Sequence, residues 1–242
     1  MNLLRKIKYN QKLCHYMFIA EPIYTTDRTL LGVEMLTRFF NATGEPLDSF
    51  RVISGLDVLG KNQLLRDQIN QLKLMQWWFE QQDVYCSVNI DFDMACFLCS
   101  DKQLSSEMGM LKFVCLEISE NFPGLNLGKE NTLLKHFYEC PNPLWLDDLG
   151  NGDANLMSLM DNCFDVVKVD KHFFWDYANK AKFSTLIGVI QRFCPRVIVE
   201  GVDNADYLPF LHECDVWGVQ GYLYPSAPFE QLNQLIECDY AY

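Results

Sequence analysis

Eight short β-rich runs recur along this chain, near residues 17–24, 30–39, 84–90, 113–118, 143–148, 164–169, 196–202 and 215–220. Helical stretches fall between most of them, such as Lys61 to Gln82 and Lys171 to Arg192. Repeated βα alternation predicts a mainly parallel sheet covered by helices. The first two runs stand too close for a crossover helix, so they are expected to pair as an antiparallel hairpin. No Pro/Gly/Ser-rich linker, internal repeat or low-complexity tract divides the 242 residues, which fits one domain over 1–242. The predicted fold is α/β: a modified (β/α)8, TIM-like barrel with one antiparallel strand.

Polar residues inside these runs carry the functional information. Asn89, Glu117, Lys168, Asp170, Glu200 and Gln220 fall near the C-terminal ends of their strands, the face where barrel active sites are built. Side chains alternate with period two, so Lys168 and Asp170 share a face, as do Glu34, Leu36 and Arg38. The run Pro143-Leu144-Trp145-Leu146 closes on an acid pair, Asp147-Asp148, followed by Leu149-Gly150-Asn151-Gly152. Buried charges are normally paired or bound to metal, so this pair marks a divalent-metal site. Adjacent strand residues point to opposite faces, so both acids reach one site only if the chain turns there. Gly150 and Gly152 are expected to make that turn.

Composition narrows the partners. A net charge of -12 argues against direct nucleic-acid binding, which needs a basic footprint. Ten scattered cysteines in a chain of this size read as free thiols, and the lone C-x-x-C, Cys96 to Cys99, lacks a second pair at zinc spacing. Free thiols imply a reducing compartment, no run approaches membrane-spanning length, and no signal core follows the basic start. The protein is therefore expected to be cytoplasmic, without membrane contact. Trp77-Trp78 reads as helix packing, and Gly124 to Lys129 as a loop before a helix rather than a phosphate loop.

Taken in order, these segments resemble the EAL domain, the family of cyclic di-GMP phosphodiesterases. The signature stands here as Glu34-Met35-Leu36 followed by Arg38. Next come Asn89, Leu116-Glu117-Ile118-Ser119-Glu120, Asp147-Asp148-Leu149-Gly150, Lys168-Val169-Asp170, Glu200-Gly201-Val202-Asp203 and Gln220-Gly221-Tyr222. The motifs span about 18–235. The resemblance implies hydrolysis of cyclic di-GMP to linear pGpG with Mg2+ or Mn2+, Ca2+ being inhibitory, and through it control of fimbriae, biofilm or motility. It implies metal ligation by Glu34, Asn89, Glu117, Asp147, Asp148 and Glu200, with Asp147 shared between two metals. Lys168, Glu200 and Asp147 would act in catalysis. Arg38, Gln220 and Asp170 would bind substrate, while Glu120 and Asp203 would stabilise the loop after the acid pair. Oxygen ligands of this kind suit Mg2+ or Mn2+.

The chain also departs from the family pattern. Glu21-Pro22-Ile23 stands where the family has Gln-Pro-Ile, Leu149 replaces Phe, and 151–155 differ in a loop tied to metal binding and dimer communication. The resemblance implies a homodimer as one option. The segment Glu120 to Lys129 resembles small stand-alone enterobacterial EAL proteins, some of which bind and block a transcriptional regulator instead of acting as enzymes. A regulator-binding module is therefore the alternative expectation. The retained ligand set favours the enzyme.

Overall fold

The fold of the computed structural model is described for residues 4–150, 159, 163–178 and 181–237. Strands β1 (Arg5–Tyr9) and β2 (Lys12–Tyr24) form a tight hairpin, with Asn10 and Gln11 both at positive φ as a two-residue turn of that hand requires. β3 (Leu30–Phe40) runs antiparallel to β2. The order then continues through β4 (Pro46–Leu47), α1 (Ser49–Ser54), α2 (Val58–Gln82), β5 (Tyr85–Asn89), α3 (Phe92–Ser100), α4 (Lys102–Met110) and β6 (Val114–Ser119). The next elements are α5 (Thr132–Tyr138), β7 (Leu144–Leu149), β8 (Val166–Val169), α6 (Lys171–Tyr177), α7 (Ala181–Ile190) and β9 (Val197–Val199). α8 (Leu208–Glu213), β10 (Gly218–Gln220), β11 (Ala227–Pro228) and α9 (Gln234–Glu237) complete it.

Seven strands, β3, β5, β6, β7, β8, β9 and β10, pair in parallel, and β2 closes the barrel by pairing antiparallel to both β3 and β10. These eight are the runs read from the sequence, and the single antiparallel strand is the first member of the expected hairpin. β1, β4 and β11 are short additions that the sequence reading lacked. The stretch 171–192 is not one helix: α6 ends at Ala178, whose backbone is extended at φ -50° and ψ 137°.

Helix starts are set by local chemistry. Asp57, Asp91, Asp101 and Asp170 each accept hydrogen bonds from the first free N–H groups of α2, α3, α4 and α6. Leu64, Leu65, Ile69, Leu72 and Phe79 of α2 are buried, and the outer faces of the strands pack with such helical side chains into the main core. Trp78 is buried with Nε1 donating to Asn233, whereas Trp77 is exposed. Gly124 to Lys129, expected as a loop, is itself mostly a short 3-10 helix (Leu125–Glu130) before α5, with Gly124 as its N-cap.

The barrel interior is layered. A separate apolar cluster of Ile23, Cys115, Trp145, Val166 and Ile198 fills its lower part, with Tyr85 and Trp217 packed against it. One step of two residues along the same strands leads to Glu21, Glu117, Asp147, Lys168 and Glu200. Strand alternation therefore places an acidic layer directly above an apolar plug. The plug excludes water from below, and the polar layer faces the C-terminal mouth.

Candidate active site

Lys168 is the centre of this layer. It is fully buried, and its ammonium lies 2.9 Å from Glu34 Oε2, 2.8 Å from Glu117 Oε1, 3.1 Å from Asp147 Oδ1 and 2.8 Å from Glu200 Oε1. Its pKa is held well above the ordinary lysine value: burial opposes the charge, but Asp147, Glu117, Glu200 and Glu34 outweigh it. Glu34 is further fixed by Asn89 Nδ2, which donates to Oε1 at 2.6 Å, and by Gln220 Nε2, which donates to Oε2 at 2.8 Å. Burial would raise the Glu34 pKa, yet Lys168, Gln220 and Asn89 together hold it below the usual value.

The other carboxylates are not compensated in this way. Burial pushes Glu117 well above the ordinary range and raises Asp147. Burial, opposed by Lys168, takes Glu200 to about 8, and burial with the neighbouring Asp147 charge takes Asp148 to about 6. Glu117 Oε2 is buried with no hydrogen-bond partner among the described residues. Asp147 Oδ1 lies within ion-pair distance of Lys168 but has no hydrogen-bond partner among the described residues. One ammonium facing four carboxylates leaves a buried excess of negative charge that a hard cation would neutralise.

The acid pair supplies the matching geometry. Asp148 takes a left-handed backbone, φ 61°, and the β7–β8 register breaks between Leu146 and Leu149. The chain thus turns at Asp148 itself, earlier than the glycines named from sequence. Gly150 follows at φ 103°, and Gly152 lies outside the described residues. As a result, Asp147, Asp148 and Glu200 each present an oxygen within 4.8 Å of the others, spacing suited to a metal ion. Asn89, donating through Nδ2, keeps its carbonyl oxygen as a ligand atom. This all-oxygen set fits Mg2+ or Mn2+.

A cavity of about 330 Å³ opens on the site, lined by Asn89, Glu117, Asp147 and Asp148 together with Arg38, Phe50, Ile53 and Gln68. Arg38 is exposed at its mouth, with no carboxylate partner among the described residues. Gln220 is buried and donates to Glu34 and, at 3.2 Å, to Glu21.

Two further site residues expected from the sequence stand outside the Lys168 ion pairs. Asp170 is buried, and its Oδ1 accepts from the His172 and Phe173 N–H groups as the cap of α6. Asp203 is exposed and makes no hydrogen bond or ion pair among the described residues. Glu120 is placed differently, with Oε2 accepting from Gly150 N at 3.4 Å while its own N–H donates to Asp147 O. The altered segment 151–155 lies outside the described residues. Sequence reading passed over Asp91 and Gln68, which also line the cavity. Asp91 alone carried a signal, standing two residues beyond Asn89 before a helix.

A closed eight-stranded barrel with one antiparallel strand and an acid–lysine centre at its C-terminal mouth defines a class of modified α/β barrel proteins. Within that class, the chain belongs to the EAL domain family, whose profile matches residues 5–227. It is 30% identical to the putative anti-FlhC(2)FlhD(4) factor YdiV of Escherichia coli strain K12, over 93% of this chain and 94% of that one. It is 27% identical to the cyclic di-GMP phosphodiesterase PdeH of the same organism, over 92% of this chain and 88% of that one. The crystal structure of the EAL-like domain protein YdiV superimposes with a TM-score of 0.84 at 29% identity, covering 92% and 96% of the two chains. Among the described residues, no helix is long and apolar enough to cross a membrane.

Proposed function

We propose that this chain is a divalent-metal-dependent phosphodiesterase that opens one phosphodiester bond of cyclic di-GMP to give linear pGpG. The observation that carries this reading is the buried Lys168 inside Glu34, Glu117, Asp147 and Glu200, with Asp148 turned toward the same centre. Glu34, Asn89, Glu117, Asp147, Asp148 and Glu200 would hold Mg2+ or Mn2+. When bound, such metal supplies a water of lowered pKa and neutralises phosphate charge. Lys168 would then stabilise negative charge developing on the phosphate, donating from a site closed to water below. Arg38 at the mouth would take a phosphate through its planar fork. The likeness to PdeH supports the same substrate.

Purified protein with cyclic di-GMP and Mn2+ is expected to yield pGpG, and chelation to stop it. No pGpG above background at saturating Mn2+ would refute the enzyme.

A second reading is favoured by the likeness to YdiV across nearly the whole chain, in sequence and in fold. In it, the barrel is a module that binds a transcriptional regulator of the FlhC/FlhD kind. Pull-down of that complex with wild type and with Asp147→Asn separates the two. Capture that persists with Asp147→Asn, from a wild type with no turnover, identifies the module. Turnover without capture identifies the enzyme.

A further inference from the structure

One buried cation outside the acid–lysine centre has no part in the chemistry above. Lys61 lies in the first turn of α2, nine-tenths buried, with Nζ 2.7 Å from Asp91 Oδ2 and 2.6 Å from Asp93 Oδ2. Both acids belong to the start of α3, and Asp91 Oδ1 also caps that helix by accepting from Met94 N at 3.0 Å. Asp91 is thus held by two elements at once, through one oxygen each. It stands two residues beyond Asn89 and lines the same cavity. The residue between them, Ile90, is buried and donates its N–H to Glu117 O at 2.8 Å.

The chain from 89 to 91 therefore leaves the barrel under three constraints: the Glu117 carbonyl, the α3 cap and the Lys61 clamp. Asn89 itself is exposed at the strand end, where its side chain's only hydrogen bond among the described residues is to Glu34. An exposed amide at the last residue of a strand owes its orientation to what fixes the chain just beyond it. A cation placed at a helix N-terminus is unfavourable by itself. The two acids offset that cost, and in doing so they tie the first turn of α2 to the start of α3.

We infer that Lys61 is a positioning residue that orients Asn89 toward the metal by tying the start of α3 to α2. This rests on the reading of Asn89 as a metal ligand. Groups that orient ligands from outside the coordination sphere change metal affinity by roughly 10–100-fold when lost. Lys61 falls in that class and acts only through Asn89.

The test is Mn2+ binding to the full chain, followed by calorimetry in a double-mutant cycle of Lys61→Met and Asn89→Ala. Lys61→Met is expected to weaken Mn2+ binding roughly tenfold in wild type and to leave the Asn89→Ala protein unchanged, with Lys61→Arg close to wild type. If Lys61→Met leaves the affinity within about twofold while Asn89→Ala weakens it, the clamp has no such role. Equal weakening in both backgrounds also overturns it, because the effect would then bypass Asn89. If Asn89→Ala itself does not alter Mn2+ binding, the ligand assignment of Asn89 fails first, and the inference falls with it. Asp91→Asn keeps a good helix cap and removes only the charge, so it repeats the test if Lys61→Met does not fold.

Discussion

Asp147 and Asp148 are consecutive in β7, yet both present carboxylate oxygens to one acidic centre, because Asp148 adopts a left-handed backbone where the β7–β8 register breaks. A regular strand would have sent the second acid to the outer face. The bulge re-aims it and sets the pair beside Glu200.

Charge and conformation at this position can be separated. Asn tolerates the left-handed region, so Asp148→Asn is expected to keep or raise the metal-free Tm while weakening Mn2+ binding at least tenfold. A β-branched residue does not tolerate it. Asp148→Val should therefore lose about 1–3 kcal/mol from backbone strain in urea denaturation. Equal stability of the two variants would show that the turn is not strained.

Much of this site was legible because barrel strands alternate: an acid or amide near the end of a β-run has to face either the mouth or the helices. That logic located Glu34, Glu117, Asp147, Lys168 and Glu200 on the inner layer. Asp170 also carries a plain local signal, an acid just before a helical run, which is the mark of the cap it forms on α6. β1 was missed because Arg5, Lys6, Lys8 and Tyr9 leave Ile7 as its only buried residue, too little alternation to mark a strand. The break at Ala178 carries only a weak sequence signal, Asn179 directly after it, since alanine is the best helix former and neither Pro nor Gly is near. The left-handed Asp148 was equally hidden, being a choice made by tertiary register.

Lys168 holds together four acids that repel one another without it. Lys168→Met leaves those carboxylates buried and unpaired, and the expected loss is about 3–5 kcal/mol of unfolding free energy at pH 8. Adding Glu117→Gln to Lys168→Met should recover part of that loss, since it removes a buried charge that no longer has a partner. Urea denaturation of the two variants in chelator measures both effects. A Lys168→Met protein as stable as wild type would contradict the charge balance described here.

The same excess of acid predicts how stability follows pH. Glu200 and Asp148 titrate at about 8 and about 6 in the folded chain, above their ordinary values of 4.5 and 3.8. Between those limits the folded state binds more protons than the unfolded one, so stability falls as pH rises. In chelator, Tm is expected to drop from pH 6 to pH 8.5. Mn2+ should raise Tm at both values and more at pH 8.5, where the acids it neutralises are ionised. A metal-free Tm that climbs with pH over this range would contradict the burial-driven shifts.

Arg38 tests the substrate end of the cavity independently of the metal end. Its guanidinium stands at the mouth rather than in the acidic layer. Losing a charged hydrogen bond to phosphate costs about 1.5–3 kcal/mol, or roughly ten- to hundredfold in affinity. Arg38→Ala should raise KM for cyclic di-GMP by that factor, with Mn2+ affinity unchanged. A fall in Mn2+ affinity instead would place Arg38 in support of the metal site.

Glu21 is the departure from the family pattern that this geometry makes most testable. It faces Glu34 across the β2–β3 pair, accepts from Gln220 at 3.2 Å, and has its pKa raised by burial and then by the Glu34 charge. A carboxylate here adds one more negative group to an acidic layer already in excess, and it repels an anionic ligand. Glu21→Gln keeps an acceptor for Gln220 and removes the charge. The expected result is a higher Tm in chelator at pH 8, a lower KM for cyclic di-GMP and little change in kcat. If KM rises instead, the carboxylate is itself a substrate contact, accepting from the ligand's N–H groups more strongly than a neutral amide.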